Sequence, residues 1–278
     1  MKPEARRGED GFALVAALTA ALLFSLLAYA MLAADRGAIA DVQAQLRRAQ
    51  MEAAADGALA TAVAGLEAPL NRRWDIDRRR KTLMIGDIQL EVVVEDERGK
   101  IPLNDLRPDQ ARRMFQAAGV SGGRLDLLTD SLLDWVDGGY RPNSARLLDY
   151  AAEGIRPRGA RIRTVDELLA VKGMDQAVFD RLSPDLTVFF GFRGPFDSDT
   201  ASPQAVKVMT GASEGGPSAR IAAQRPALST RPGDDYVGRP FTVRVTARDA
   251  AGGEFRRAYV VELTGQPNPS FWTRAVEE

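Results

Sequence analysis

Carboxylates carry most of the chemistry this sequence can offer. Asp126, Asp130 and Asp134 stand four apart with Asp137 three further on, so a helix would line them along one face. Like charges at that spacing cost a helix about 0.2–0.5 kcal/mol per pair, so the arrangement calls for something that repays it. Calcium would do so, since it takes oxygen ligands, and Asp134, Asp137, Asn143 and Asp149 are its first candidates. A solvated acidic face, or a surface for a basic partner, is the competing and favoured reading. A glycosidase would use two such carboxylates as acid and base, but only Trp135 and Tyr140 stand nearby to line a cleft. The chain has no cysteine and no histidine, which excludes disulfides, thiolate metal sites, Cys nucleophiles and Ser-His or zinc-His chemistry. No catalytic residue is assigned, and no cofactor is required.

Two further segments suggest phosphate contacts. Thr164 to Leu182 has the outline of a helix-hairpin-helix, a module that grips DNA through backbone amides, and its turn reads Gly173-Met174-Asp175. An aspartate in place of the second glycine would repel a phosphate, so a helical pair filling a core is favoured over DNA binding. RRWDIDRRRK, residues 72 to 81, mixes cations with an aromatic as single-strand binders do. Asp75 and Asp77 interrupt it, which favours a solvated bend. Over the whole chain 37 basic residues face 38 acidic ones, so no global field selects nucleic acid as a partner.

These segments must be positioned by a larger frame, and 278 residues at 45% hydrophobic content suffice for one. Residues 12 to 34 carry no charge, enough for a helix of roughly 34 Å that crosses a bilayer. No small-residue cleavage site with a change of composition follows, so the span is expected to be retained. Lys2, Arg6 and Arg7 precede it, which keeps the leader cytoplasmic and exports the bulk. Beyond Asp35, apolar residues at Ile39, Val42, Leu46, Ala49, Ala53, Ala60 and Val63 trace one stripe that runs on to Pro69. The sum is one helix of about 57 residues, roughly 85 Å long, half in lipid and half amphipathic.

Two hairpins follow. Thr82 to Ile85 and Asp87 to Glu95 turn at Gly86, and Phe241 to Arg248 and Glu254 to Leu263 turn across Asp249-Ala-Ala-Gly-Gly253. QLEVVV alternates poorly, as a partly covered strand would. Between the hairpins the signals are helical: Pro108 to Ala118, Leu125 to Val136, a capping box at Thr164 to Glu167, a helix capped by Asp175 and one opened by Asp199 to Pro203 and ended by Gly211. Leu186 to Phe190 is a short strand-like stretch, and residues 212 to 235 read as a loop. The fold class is therefore α+β: a long N-terminal helix packed on a small antiparallel sheet, with a large inserted all-α domain.

The charged leader ending in Gly11, Phe12 at the junction and the long half-amphipathic helix together resemble the type IV prepilin family. The resemblance implies cleavage behind Gly11 by a membrane prepilin peptidase and N-methylation of Phe12. That family usually carries a glutamate at the fifth mature residue, thought to pair with the amine of the subunit ahead; here the position is Ala16. A subunit with nothing ahead of it needs no such glutamate. Within the family the chain is similar to the minor pseudopilin K group of bacterial type II secretion. The similar segments are Gly99 to Asn104, Leu132 to Asp137, Arg141 to Asn143, Thr164 to Met174 and Asp199 to Val206.

The resemblance implies a non-enzymatic subunit of the inner membrane, at the tip of the secretion pseudopilus beside minor pseudopilins I and J. Its domains would be a leader at 1–11, a transmembrane half-helix at 12–34 and an amphipathic half-helix at 35–68. A sheet domain at 69–103 and 236–278 would follow, with the helical insertion at 104–235. The alternative is a membrane-anchored helix-hairpin-helix DNA-binding protein of a competence-type system.

Overall fold

The computed structural model describes residues 9–76, 78–137, 154, 159–189, 196–211 and 236–277. It divides into two compact units, Met1–Ala53 and Ala54–Glu278. Helix α1 spans Glu9–Glu67, 59 residues. It stops where Pro69 removes a backbone donor, and Arg73 Nε supplies a bond to the open carbonyl of Ala68 at 3.1 Å.

Within the second unit α1 buries Ala54, Ala55, Ala58, Leu59, Ala62, Val63 and Leu66. The stripe expected from the sequence is mostly a different face: Val42, Leu46, Ala49, Ala53 and Ala60 are exposed, and only Val63 is shared with the buried set. The helix is so rich in alanine that it is apolar around much of its circumference, and periodicity alone could not say which side packs.

Glycines allow the close packing. A Cβ on Gly57 would stand 2.9 Å from Ile85 Cδ1, and one on Gly65 would stand 2.5 Å from the Trp74 ring. The Trp74 amide bonds the Gly65 carbonyl at 2.9 Å, which fixes the ring there. An alanine inside a helix is ordinarily worth roughly 0.5–1 kcal/mol over glycine. Gly65→Ala should do the opposite and lower stability by about 1–3 kcal/mol through overpacking. A thermal melt of the full chain in detergent checks the sign.

Strands β1 (Lys81–Ile85), β2 (Ile88–Asp96), β5 (Pro240–Arg248), β6 (Glu254–Leu263) and β7 (Phe271–Glu277) form one antiparallel sheet in that order. The β1–β2 turn needs Gly86, whose φ is +61°. Asp249 Oδ1 closes the β5–β6 turn by accepting from the Ala251 and Gly253 amides at 3.0 and 2.6 Å. The two hairpins join through β2 and β5, with Val92 opposite Val245 and Val94 opposite Val243.

Two features depart from expectation. Strand β2 alternates cleanly, burying Ile88, Leu90, Val92, Val94 and Asp96 in turn, because the less buried valine of QLEVVV faces the opposite side from Val92 and Val94. Strand β7 was not anticipated; it pairs with β6 through a register shift at Val260/Val261, and its mixed apolar and charged residues carry no simple alternation.

The insertion is built on α2 (Pro108–Ala117), α3 (Gly122–Asp137), α4 (Gln176–Leu182) and α5 (Pro203–Thr210). Its core gathers Met114, Phe115, Leu128, Leu132, Leu168 and Leu182. It is not purely helical, because β3 (Ile101–Pro102) pairs in parallel with β4 (Leu186–Thr187). The strand-like stretch from Leu186 thus shrinks to two residues. Asp175 caps α4, its carboxylate accepting from the Val178 amide at 2.8 Å. Ser202 caps α5, and Gly211 ends it at φ +70°. The capping box at Thr164 is not formed: Val165–Ala170 is a 3-10 turn with no side-chain cap from Thr164. Glu167 is committed instead to Trp135 and to the Arg163 amide.

Candidate functional site

The Gly11–Phe12 junction lies inside α1, and Phe12 is exposed. A glycine there weakens the helix locally by roughly 0.5–1 kcal/mol relative to alanine. From Phe12 to Met31 the helix is long and apolar enough to cross a membrane, with mean hydropathy 2.3. Leu14, Leu18, Leu22, Leu26 and Tyr29 are each more than half exposed. Such a surface needs lipid or other apolar helices to cover it. Two of its hydroxyls bond within the helix: Thr19 donates to the Val15 carbonyl, and Ser25 donates to the Ala21 carbonyl at 2.8 Å. Ala16 is exposed on the same span.

The sheet and the insertion are joined by buried charge. Glu97, at the end of β2, accepts from Thr187 Oγ1 of β4 at 2.5 Å and from Thr242 Oγ1 of β5 at 2.6 Å. Lys100 Nζ reaches Glu97 at 2.6 Å and Glu95 at 3.0 Å. Burial opposes the charge on Lys100, yet Glu97 and Glu95 outweigh it and hold the ammonium above its ordinary pKa. Burial likewise acts most strongly on Glu95, but Lys100, Arg244 and Arg78 carry it below the usual carboxylate range.

A second knot lies beside this one. Asp96 accepts from the Arg98 amide at 2.9 Å and pairs with Arg239. Asp197 takes Arg98 at 3.1 Å and Arg239 at 3.4 Å. Burial pushes the Asp96 carboxyl up, against the pull of Arg239 and Arg98. Buried ion pairs are weak evidence for stability; what they supply here is a fixed register among three elements that meet from distant parts of the chain.

The short motifs meet in the same region. Gly99 passes so close to Thr200 that a Cβ would come within 2.7 Å of its carbonyl oxygen, which joins the first motif to the last. Asn104 clamps the Ile162 backbone through both side-chain atoms, at 2.9 and 2.6 Å. Trp135 Nε1 donates to Glu167 at 2.9 Å and so ties α3 to the Thr164 segment. None of these joints was read from the sequence, although three acids in a row at Glu95 to Glu97, at the end of an apolar strand, were a usable signal.

In the hairpin-like segment, the Gly173 carbonyl and the Asp175 carboxylate both take the Arg124 guanidinium. Leu168, Val171, Val178 and Phe179 enter the insertion core, so the segment serves as packing.

Of the acidic helix, Asp126 is paired with Arg112 at 2.5 Å, and Asp130 and Asp134 have partners of their own. Asp137 ends α3. Asn143 and Asp149 lie outside the described residues, as do Arg141 to Asn143, the 212–235 stretch and leader residues 1–8. Among the described residues no three acidic side chains gather to hold a metal ion.

Residues 87–191 match the profile of the family described as type II secretion system (T2SS), protein K. The match covers less than half of the chain. A chain in the crystal structure of the GspK-GspI-GspJ complex from the enterotoxigenic Escherichia coli type 2 secretion system shares the fold. It superposes at TM-score 0.65 over 85% of this chain and 98% of its own, with 15% sequence identity. Comparison with curated proteins gives no match. The protein K match covers residues 87–191 and the shared fold most of the chain, whose architecture is α+β with an N-terminal helix long and apolar enough to cross a membrane.

Proposed function

We propose that this protein is a non-enzymatic subunit at the tip of the type II secretion pseudopilus, where it initiates assembly and caps the filament to support export across the outer membrane. Prepilin peptidase cuts behind Gly11, Phe12 becomes the methylated N-terminus, and the apolar helix passes from the inner membrane into the filament with the bulk of the chain periplasmic. Minor pseudopilins I and J are its partners, by analogy with the GspK-GspI-GspJ complex that the fold resembles.

The observation that carries the reading is the combination of Ala16 with the insertion held to the sheet through Glu97 and Lys100. Without a carboxylate at position 16 the chain has nothing with which to meet an amine ahead of it, and the helical insertion obstructs a subunit on top. Gold-labelled antibody against the insertion should mark one end of each pseudopilus, and label along the shaft would overturn the tip assignment.

Calcium at Asp134, Asp137, Asn143 and Asp149 is the less favoured alternative to a solvated acidic face. A melting temperature that rises with calcium and falls back with a chelator, in the native chain but not in Asp134→Ala, supports it. No shift removes it.

A further inference from the structure

The C-terminal end of α1 carries an acid where a helix favours a cation. Its last turn holds no basic residue and closes on Glu67, so a negative side chain stands at the negative end of the helix dipole. Burial pushes the Glu67 carboxyl above its ordinary value, against a hydrogen bond from Ser270 in the loop between β6 and β7. Among the described residues no basic side chain is paired with it.

Glu67 lines a cavity of about 720 Å³. Leu66, Tyr236 and Leu263 line it from the core, each buried, and Leu70 lines it from outside, 53% exposed. Arg73 also borders the cavity but is engaged elsewhere: its Nε donates to the Ala68 carbonyl at 3.1 Å, and its guanidinium lies 5.1 Å from the centre of the Tyr236 ring. An apolar wall with one carboxylate beside it matches a side chain made of a hydrocarbon stem and a charged head. Lysine has that form, with a compact ammonium at the end of a flexible stem. A single such side chain does not fill the volume, which leaves room for the residues beside it in a chain.

We propose that this cavity receives a lysine side chain of a partner protein, with its methylenes against Leu66, Tyr236 and Leu263 and its ammonium on Glu67. The ammonium answers both the carboxylate and the helix dipole. The inference stands apart from the tip assignment and survives its failure.

The test uses the full chain in detergent and a capped peptide with a central lysine flanked by leucine and alanine, read by saturation-transfer NMR. The peptide should bind through its lysine methylenes and bind more weakly as salt is raised. Norleucine in place of the lysine keeps the stem and loses the charge, and should weaken binding about tenfold, since it forgoes both the carboxylate and the dipole. Glu67→Gln should weaken binding of the lysine peptide about fivefold. That variant keeps an acceptor for Ser270 and should melt no lower than the parent, because it removes an acid from the negative end of the helix. Equal binding of the norleucine peptide, unchanged binding by Glu67→Gln, a lower melting temperature of that variant, or no peptide binding would each overturn the proposal. Diaminopentane that binds as tightly as the peptide would overturn the protein as the source of the amine. In native membranes a carbodiimide should join Glu67 to a lysine of another protein through an amide bond, located by mass spectrometry; absence of that bond would also overturn the proposal.

Discussion

On the proposed processing, replacement of Gly11 by valine should leave the chain at full length in the membrane and stop pseudopilus initiation, so that secretion falls to background. A side chain at the residue before the cut fills the space a peptidase reserves for glycine. The uncut leader retains Lys2, Glu4, Arg6, Arg7, Glu9 and Asp10 ahead of the apolar run that opens at Phe12. Carrying charges of that kind into an apolar environment costs about 2.5–3.5 kcal/mol each at the centre of a membrane helix, so an uncut leader opposes entry of the helix into an apolar filament core. Immunoblots for chain length and a count of filaments check both halves of the statement. Assembly of the full-length variant into filaments would refute it.

The largest effect on stability is expected at Lys100. Lys100→Met removes the cation that, among the described residues, touches both Glu95 and Glu97; Glu97 is then left buried with the Thr187 and Thr242 hydroxyls against its charge, while Glu95 keeps Arg244 at 3.4 Å. Breaking a buried pair in this way costs about 3–5 kcal/mol. Adding Glu97→Gln should restore much of the loss, because a neutral amide can still bond Thr187 and Thr242 without a buried charge. Chemical denaturation of the single and double variants in detergent measures this. A Lys100→Met protein as stable as the parent would mean that the junction is solvated and does not fix the insertion to the sheet.

Much of the frame could be read from local signals. Pro69 stops α1, Gly86 turns β1 into β2, Asp249 closes the second hairpin, and Asp175 and Ser202 cap their helices. Each is a short-range effect of one residue on its own backbone, which is why the sequence shows it. The rest depends on partners far along the chain. The Glu97 knot spans 90 residues to Thr187 and 145 to Thr242, and no period or motif announces such a pairing. The buried side of α1 was misread for a related reason: alanine is small enough to sit on either face, so the choice fell to Gly57 and Gly65, where Ile85 and Trp74 press close. Gly11, Phe12 and Ala16 lie in one continuous segment of α1, so the sequence alone can put them forward as site residues. The acidic set was legible only as a pattern, and Asp126 proved to be taken by Arg112.

The central claim, that the chain is a processed pseudopilin, is tested most directly by mass spectrometry of the N-terminus of the protein purified from its native membrane. The account predicts a chain that begins at N-methylated Phe12. A chain that begins at Met1, with the leader intact, would contradict it.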